Sequence, residues 1–129
     1  MPSHKIPAPR EDLTYRLIGA AMAIHRQIGP GQEEAVYQRA LEEHLAEDGI
    51  AFKAKTQWPV YDGDRLLGFY IPDFIVENRV IVEITAFSTL VAKTMAQVVA
   101  HLNHTHLPTG LLINFNVRRL RDGIKRFVL

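Results

Sequence analysis

Two acidic residues lie in surroundings where a carboxylate is costly unless it is paired. Asp73 opens the apolar run 74–76, and Glu83 lies within the apolar string 80–84. If these runs pair as a hairpin, Asp73 and Glu83 are near cross-strand neighbours, and carboxylates so close need a cation or a shared proton. Mg²⁺ or Mn²⁺ is the expected cation, because such ions are bound through one or two carboxylates and water. The alternative is a structural ion pair between Glu83 and an arginine at the sheet edge.

A third carboxylate, Glu34, shares a helical face with Tyr37, Leu41 and Leu45. That apolar face is expected to be buried, so the head of Glu34 should point inward. The alternative role is local, because an acid in the first turn of a helix interacts favourably with the helix dipole.

Gln97, His101 and His104 follow one another at spacings of four and three residues on a later helix. Such spacing suits a metal-binding face. His25, on the first helix, is a further candidate. The other interpretation is that these histidines are hydrogen-bonded boundary residues without a ligand.

The apolar pattern predicts the elements that position these side chains. A 3.6-residue period indicates helices over about 12–28, 32–48 and 88–106. A two-residue period and the turn signal Asp62-Gly63 indicate a hairpin of strands 51–61 and 66–71, followed by strands 74–76 and 80–84. Strand 80–84 reaches the apolar strand 111–115 through a helix, so those two strands should be parallel. The expected fold is α/β, a mixed central sheet flanked by helices.

Length and composition limit the class of protein. The chain has 129 residues, a net charge of +1 and no cysteine, which fits one domain and excludes disulfides and thiolate metal sites. Residues 1–10 contain three prolines and are expected to be a flexible tail before a single domain at 11–129. Neither a signal peptide nor a membrane-spanning run is recognisable, which predicts a cytoplasmic protein without a membrane partner. Homo-oligomerisation is expected for a domain this small with an apolar C-terminus.

The C-terminal segment mixes apolar residues with basic ones, among them Arg118, Arg119 and Arg121. One interpretation is a patch that binds the phosphates of DNA or RNA. The other is a solvated surface that pairs with acids elsewhere in the chain.

Together, these spaced motifs resemble those of the GxxExxY proteins, which belong to the PD-(D/E)xK nuclease-like superfamily. Gly31, Glu34 and Tyr37 have the spacing for which the family is named, and the likeness covers about residues 11–128, including His25, Asp62-Gly63, Asp73, Glu83, Gln97 and residues 110–115. The resemblance implies an αβββαβ core. It also implies that Asp73 and Glu83 are metal ligands, with Glu34 on the first core helix and Gln97 on the helix behind them.

One departure from the family pattern bears directly on activity. The pattern has a lysine two residues after the glutamate, where this chain has Thr85. That lysine orients or deprotonates the attacking water, and losing such a group commonly slows a reaction on the order of a hundredfold to a thousandfold. A histidine usual three residues before Gln97 is Thr94, and a tyrosine usual four residues after it is His101. Lys93, one turn before Gln97, is the candidate substitute for the missing lysine.

Three hypotheses follow from the sequence. The first is a degenerate nuclease-fold protein, weak or inactive as a nuclease, that uses its acidic pocket for binding or assembly. The second is an active Mg²⁺- or Mn²⁺-dependent nuclease in which Lys93 or a metal-bound hydroxide replaces the lost lysine. The third is a metal- or ligand-binding protein that uses Glu34, Glu83 and His101, with His25 as an optional further ligand, a donor set better suited to a transition metal.

Overall fold

The computed structural model describes residues 9–87 and 92–128, with side chains at 13–87 and 95–128. Two helices, α1 (Pro9–Ile28) and α2 (Glu34–Glu47), precede the strands. The strands that follow are β1 (Phe52–Ala54), β2 (Trp58–Asp62), β3 (Arg65–Tyr70), β4 (Phe74–Val76) and β5 (Val80–Thr85). After them come α3 (Ala92–Thr105), β6 (Thr109–Asn114), a short 3₁₀ helix (Leu120–Gly123) and β7 (Ile124–Val128).

The central sheet has five strands in the order β1-β4-β5-β6-β7. β5 and β6 are parallel, and every other neighbouring pair in this sheet is antiparallel. The predicted α/β class with a mixed sheet is therefore confirmed, as is the parallel pairing across the α3 crossover. Within the described residues, no helix is both long and apolar enough to span a membrane.

The segment 51–61 does not form the single strand that its alternation predicts. Residues 52–54 pair with β4 at the edge of the central sheet, whereas β2 and β3 form a separate two-stranded sheet. The break follows from Lys55, whose φ of 57° lies in the left-handed region and ends the extended conformation. The C-terminal segment, for which the sequence pattern predicted no element, adds β7 to the sheet as a fifth strand.

Side chains on the two faces of the sheet form two apolar clusters. The larger one packs α1 and α2 on one face, through residues such as Leu17, Leu41, Phe74 and Val82. The smaller one lies on the other face and joins Ile75 and Ile81 to Leu102 of α3 and Tyr70 of β3. Because side chains alternate along a strand, Glu83 shares the face of Ile81 and is directed toward α3.

The expected tail at 1–10 falls largely on residues 1–8, which lie outside the described residues, and α1 already begins at Pro9. Helix α2 begins at Glu34, two residues later than predicted. Helix α3 is described over Ala92–Thr105, and the first part of the predicted range, 88–91, lies outside the described residues.

Candidate active site

Asp73 and Glu83 are held together where β4 begins beside β5. The antiparallel register pairs Phe74 with Val82, so Asp73 and Glu83 occupy the next step of the ladder. The Asp73 amide donates to Glu83 Oε1 at 2.8 Å, and the Ile84 amide donates to Asp73 Oδ2 at 2.8 Å. These two reciprocal hydrogen bonds fix both carboxylates on the same edge of the sheet, because charged acceptors form strong bonds with backbone N–H groups.

The second oxygen of Glu83 has a side-chain donor. The Tyr70 hydroxyl donates to Glu83 Oε2 at 2.7 Å, and the Tyr70 ring stacks on the His101 ring with centroids 3.5 Å apart. His101 Nδ1 lies 3.7 Å from Glu83 Oε2. Burial, followed by the charge and hydrogen bond of Glu83, raises the pKa of Tyr70 well above its usual value, so the phenol remains a donor.

The second oxygen of Asp73 contacts a cation, because Lys55 Nζ forms an ion pair and hydrogen bond with Asp73 Oδ1. Burial and the nearby charge of Glu83 raise the pKa of Asp73, against the opposing effect of its bonds with Lys55 and Ile84. Burial alone would lower the pKa of Lys55, but Asp73, Glu83 and Glu34 outweigh it and raise that pKa. The ammonium is thus stabilised by a concentration of negative charge.

Lys55 reaches this position because of where β1 ends. Ala54, the last residue of β1, pairs with Phe74, so Lys55, the residue that follows β1, lies beside Asp73. The Lys55 amide donates to the Pro72 carbonyl at 3.1 Å, which holds the left-handed turn of the backbone. Sequence reasoning missed both Lys55 and Tyr70. The alternation over 51–61 contains no signal for Lys55, because the strand that brings it to Asp73 is β4, which lies beyond the next hairpin in the chain.

Several of the predicted site residues line one cavity of about 240 Å³: Glu34, Asp73, Glu83, Thr85, Gln97 and His101. Glu34 is the first residue of α2 and is exposed, so its carboxylate faces the cavity rather than the apolar core. A second cavity of about 600 Å³ shares Glu34, Asp73 and Ile84 with the first and also contains Lys55. His104 is exposed on α3 and is not among the lining residues of either cavity.

Thr85, at the place of the family lysine, is 3% exposed and serves the local backbone. Its hydroxyl oxygen accepts a hydrogen bond from the Phe87 amide at 3.3 Å, and its carbonyl accepts one from the Phe115 amide at 2.9 Å. Both contacts shape the chain as it leaves β5. The Lys93 side chain, the predicted substitute, lies outside the described residues.

Tyr37 and His25 are not among the residues that line the two acidic-site cavities. The Tyr37 ring is fully buried, and its hydroxyl donates to the Gly29 carbonyl at 2.6 Å and accepts from the Gln32 amide at 3.1 Å. His25 Nε2 lies 2.8 Å from the Val117 carbonyl. These contacts secure the α1–α2 turn and the chain after β6, and His25 is not among the residues that line either acidic-site cavity.

The C-terminal arginines line a separate cavity of about 290 Å³. Arg118, Arg119 and Arg121 surround it together with Arg26 and His25 of α1. Because Thr85 pairs with Asn114, the segment 117–121 follows β6 from the same end of the sheet at which β5 ends. The arginine cluster, defined as Arg26, Arg118, Arg119 and Arg121, therefore combines residues that follow this end of β6 with Arg26 of α1, which packs on the sheet face opposite to Glu83.

The donor set suits a hard divalent ion held by two carboxylates and water. No group of three or more His, Cys, Asp or Glu side chains in the described part of the chain is arranged to hold a metal, so a site built from Glu34, Glu83 and His101 is not formed. Mg²⁺, which usually keeps several waters, needs only one or two protein carboxylates. The Lys55 ammonium already pairs with Asp73, so this position accepts a cation.

The chain matches the family model described as the PD-(D/E)XK nuclease superfamily over residues 11–127. Comparisons with curated proteins and with solved structures gave no match. The matched segment contains both carboxylates, the five-stranded sheet up to Phe127 and all three helices from residue 11 onward. With the family model covering nearly the whole sequence, the chain belongs to the PD-(D/E)XK nuclease superfamily.

Proposed function

We propose that this protein is a divalent-metal-dependent phosphodiester hydrolase of nucleic acid, with Asp73 and Glu83 as ligands of Mg²⁺ or Mn²⁺. The main support for the proposal is that the Asp73 and Glu83 carboxylates are each held by a backbone amide hydrogen bond of 2.8 Å. Both carboxylates line a cavity to which Glu34 and Gln97 also contribute. The spacing of Gly31, Glu34 and Tyr37 supports the narrower assignment to the GxxExxY proteins.

A divalent ion at this site would polarise a phosphate oxygen and lower the pKa of a bound water. The residues of the chain orient the ligands and the substrate. Tyr70 and the Asp73 amide hold the two oxygens of Glu83, while the Ile84 amide holds one oxygen of Asp73. Fixed donors of this kind reduce the reorganisation that the reaction requires. Glu34 is exposed and lines the cavity, which supports a role for it as hydrogen-bond acceptor for the attacking water.

The arginine cluster is the proposed contact for the nucleic-acid backbone on either side of the scissile phosphate. Arg26, Arg119 and Arg121 are exposed, and their cavity lies at the sheet end from which the acidic site opens. Phosphate contacts by arginine supply most of the affinity of a protein for nucleic acid that does not depend on sequence. The net charge of the chain is only +1, so its overall electrostatic field would attract nucleic acid weakly. The affinity would therefore have to come from the local arginine cluster.

A second candidate function, binding or assembly without cleavage, is favoured by the state of Thr85 and of the carboxylates. The Thr85 hydroxyl is engaged by the Phe87 amide, and all four carboxylate oxygens of Asp73 and Glu83 have donors within the chain. Because every carboxylate oxygen already accepts a hydrogen bond, the site is stable without a metal ion. Such a site suits a pocket that serves structure or recognition.

The deciding experiment measures cleavage of labelled single- and double-stranded DNA and RNA in Mg²⁺, Mn²⁺ or EDTA. We expect cleavage that depends on Mg²⁺ or Mn²⁺, and Asp73→Asn should slow it on the order of a hundredfold. Asp62→Asn is the matched control, because Asp62 is an exposed acid on the β2–β3 hairpin. If the protein binds the labelled DNA or RNA without a divalent ion and does not cleave it, the second candidate function, binding without cleavage, is favoured. Absence of both cleavage and divalent-ion binding would contradict the hydrolase proposal.

A further inference from the structure

A lysine contacts the acidic site, although the lysine expected from the family pattern is absent. Lys55 Nζ pairs with Asp73 Oδ1, and the Lys55 side chain is 56% exposed whereas that of Asp73 is 15% exposed. Lys55 is therefore the more solvent-accessible member of the pair. A phosphate that approaches Asp73 from solvent would meet Lys55 first.

The backbone holds Lys55 in this position at a conformational cost. Its φ of 57° is in the left-handed region, which residues other than glycine rarely adopt. The Lys55 amide compensates by donating to the Pro72 carbonyl at 3.1 Å, immediately before Asp73. Strained backbone conformations of this kind cost free energy that the surrounding structure must offset, and they are found most often at functional sites.

Lys55 and Thr85 line two different cavities that have several lining residues in common. The cavity of Lys55 and the cavity of Thr85 are both lined by Glu34, Asp73 and Ile84. Thr85 contributes a neutral hydroxyl that already accepts from the Phe87 amide. Lys55 contributes a positive charge from β1, at the opposite side of β4 from the strand that carries Thr85.

We propose that Lys55 is the catalytic cation of this protein and replaces, from the end of β1, the lysine that the sequence lacks at position 85. The assignment rests on the proposed hydrolase function. In the reaction, a water oxygen forms a bond to phosphorus and the bond from phosphorus to the leaving oxygen breaks. The water proton is transferred through solvent to the leaving oxygen. Lys55 keeps its protons and contacts a non-bridging phosphate oxygen, where negative charge increases.

A cation beside Asp73 should also oppose a metal ion there. The positive charge of Lys55 repels a divalent ion held by Asp73, whether or not the two contact the same oxygen. Removing that charge should therefore tighten metal binding while it slows cleavage. A lysine with only a structural role would not produce opposite effects on the two measurements.

The test compares Lys55→Met with Lys53→Met and with the double variant Lys55→Met/Thr85→Lys. Lys53 is the matched control, because it is an exposed lysine of β1 only two residues before Lys55 and lines neither of the two acidic-site cavities. Each protein is measured for Mn²⁺ affinity by calorimetry, for Mn²⁺-dependent cleavage, and for binding of labelled DNA and RNA oligonucleotides in Ca²⁺. Lys55→Arg, which keeps the charge, shows whether a loss comes from misfolding.

Lys55→Met should slow cleavage on the order of a hundredfold. It should also weaken oligonucleotide binding and tighten Mn²⁺ binding about threefold or more. The double variant should regain cleavage about tenfold over Lys55→Met, because it restores a lysine at position 85. Cleavage by Lys55→Met at the wild-type rate, or weaker Mn²⁺ binding by that variant, would overturn the assignment. Loss of cleavage in Lys93→Met with Lys55→Met unaffected would assign the cation to Lys93 instead.

Failure of the hydrolase proposal would be visible separately. If the wild type cleaves neither DNA nor RNA, oligonucleotide binding in Ca²⁺ decides the role of Lys55. Weaker binding by Lys55→Met than by Lys53→Met would keep Lys55 as a phosphate contact in a protein that does not cleave. Equal binding by the two variants would overturn the assignment as well.

Discussion

The rings of Tyr37 and Phe115 stack face to face, with centroids 4.4 Å apart and planes 5° from parallel. Tyr37 belongs to α2, and Phe115 is the first residue after β6, so the stack joins the helix that begins with Glu34 to the end of the parallel strands. The Phe115 amide also donates to the Thr85 carbonyl. This contact therefore sets the position of Glu34 relative to the end of β5.

Tyr37→Phe should keep this stack and lose the hydroxyl bonds to the Gly29 carbonyl and the Gln32 amide. Leaving two backbone groups of the α1–α2 turn without this partner should lower the free energy of unfolding by about 1–3 kcal/mol. Urea denaturation measures the change. Tyr15→Phe is the control, because Tyr15 is exposed on α1 and its hydroxyl should contribute little. Equal stability of the two variants would mean that the hydroxyl of Tyr37 does not secure the turn.

The periodicity of the sequence predicted the helices and strands of this fold better than it predicted which strands pair with each other. Three helices, the β2–β3 hairpin and the parallel β5–β6 pair follow from local patterns, which depend on residues close in sequence. The pairing of β1 with β4 and the addition of β7 depend on contacts between distant segments. No local signal specifies such pairings, and the register of a short strand is fixed only by its partner.

The same distinction applies to the site. Asp73, Glu83 and Glu34 could be singled out because a carboxylate in or beside an apolar pattern is conspicuous. Lys55 and Tyr70 could not, because a lysine or tyrosine in an alternating strand is ordinary until its neighbour is known. Lys93 is near Gln97 in the sequence, whereas the lysine that contacts Asp73 comes from the neighbouring strand β1, whose last residue pairs with Phe74.

Tyr70→Phe should change how stability depends on pH in EDTA. The pKa of Tyr70 is raised in the folded protein above its usual value of 10.0, so above about pH 10 the unfolded chain releases a proton that the folded chain keeps. Stability should then fall as pH rises, and Tyr70→Phe should make that fall shallower. Urea denaturation between about pH 9 and 11 measures the slope. An unchanged slope would show that the phenol ionises equally well in the folded state.

The arginine cluster should control the salt dependence of nucleic-acid binding. Arg119→Ala and Arg121→Ala should each reduce the slope of log affinity against log salt by about one, because each removes one phosphate contact. Fluorescence anisotropy in Ca²⁺ over a KCl series measures the slope. Arg65→Ala is the control, because Arg65 is an exposed residue of the β2–β3 hairpin beside Asp62. Identical slopes for all three variants would place the nucleic-acid contact elsewhere.

The β2–β3 hairpin should mediate self-association, because its outer face is apolar and exposed. Trp58, Val60 and Tyr70 pack inward, whereas Leu67 and Phe69 on the opposite face are 58% and 54% exposed. A two-stranded sheet is marginally stable by itself, and the hairpin of a second copy would cover this face with a matching apolar surface. We expect light scattering to show a dimer in the wild type and a monomer in Leu67→Lys/Phe69→Lys. Val128→Lys, which changes an exposed apolar residue on β7, should remain dimeric. A monomeric wild type at about 100 μM would contradict this interface, since an assembly of standard interface size binds more tightly than that.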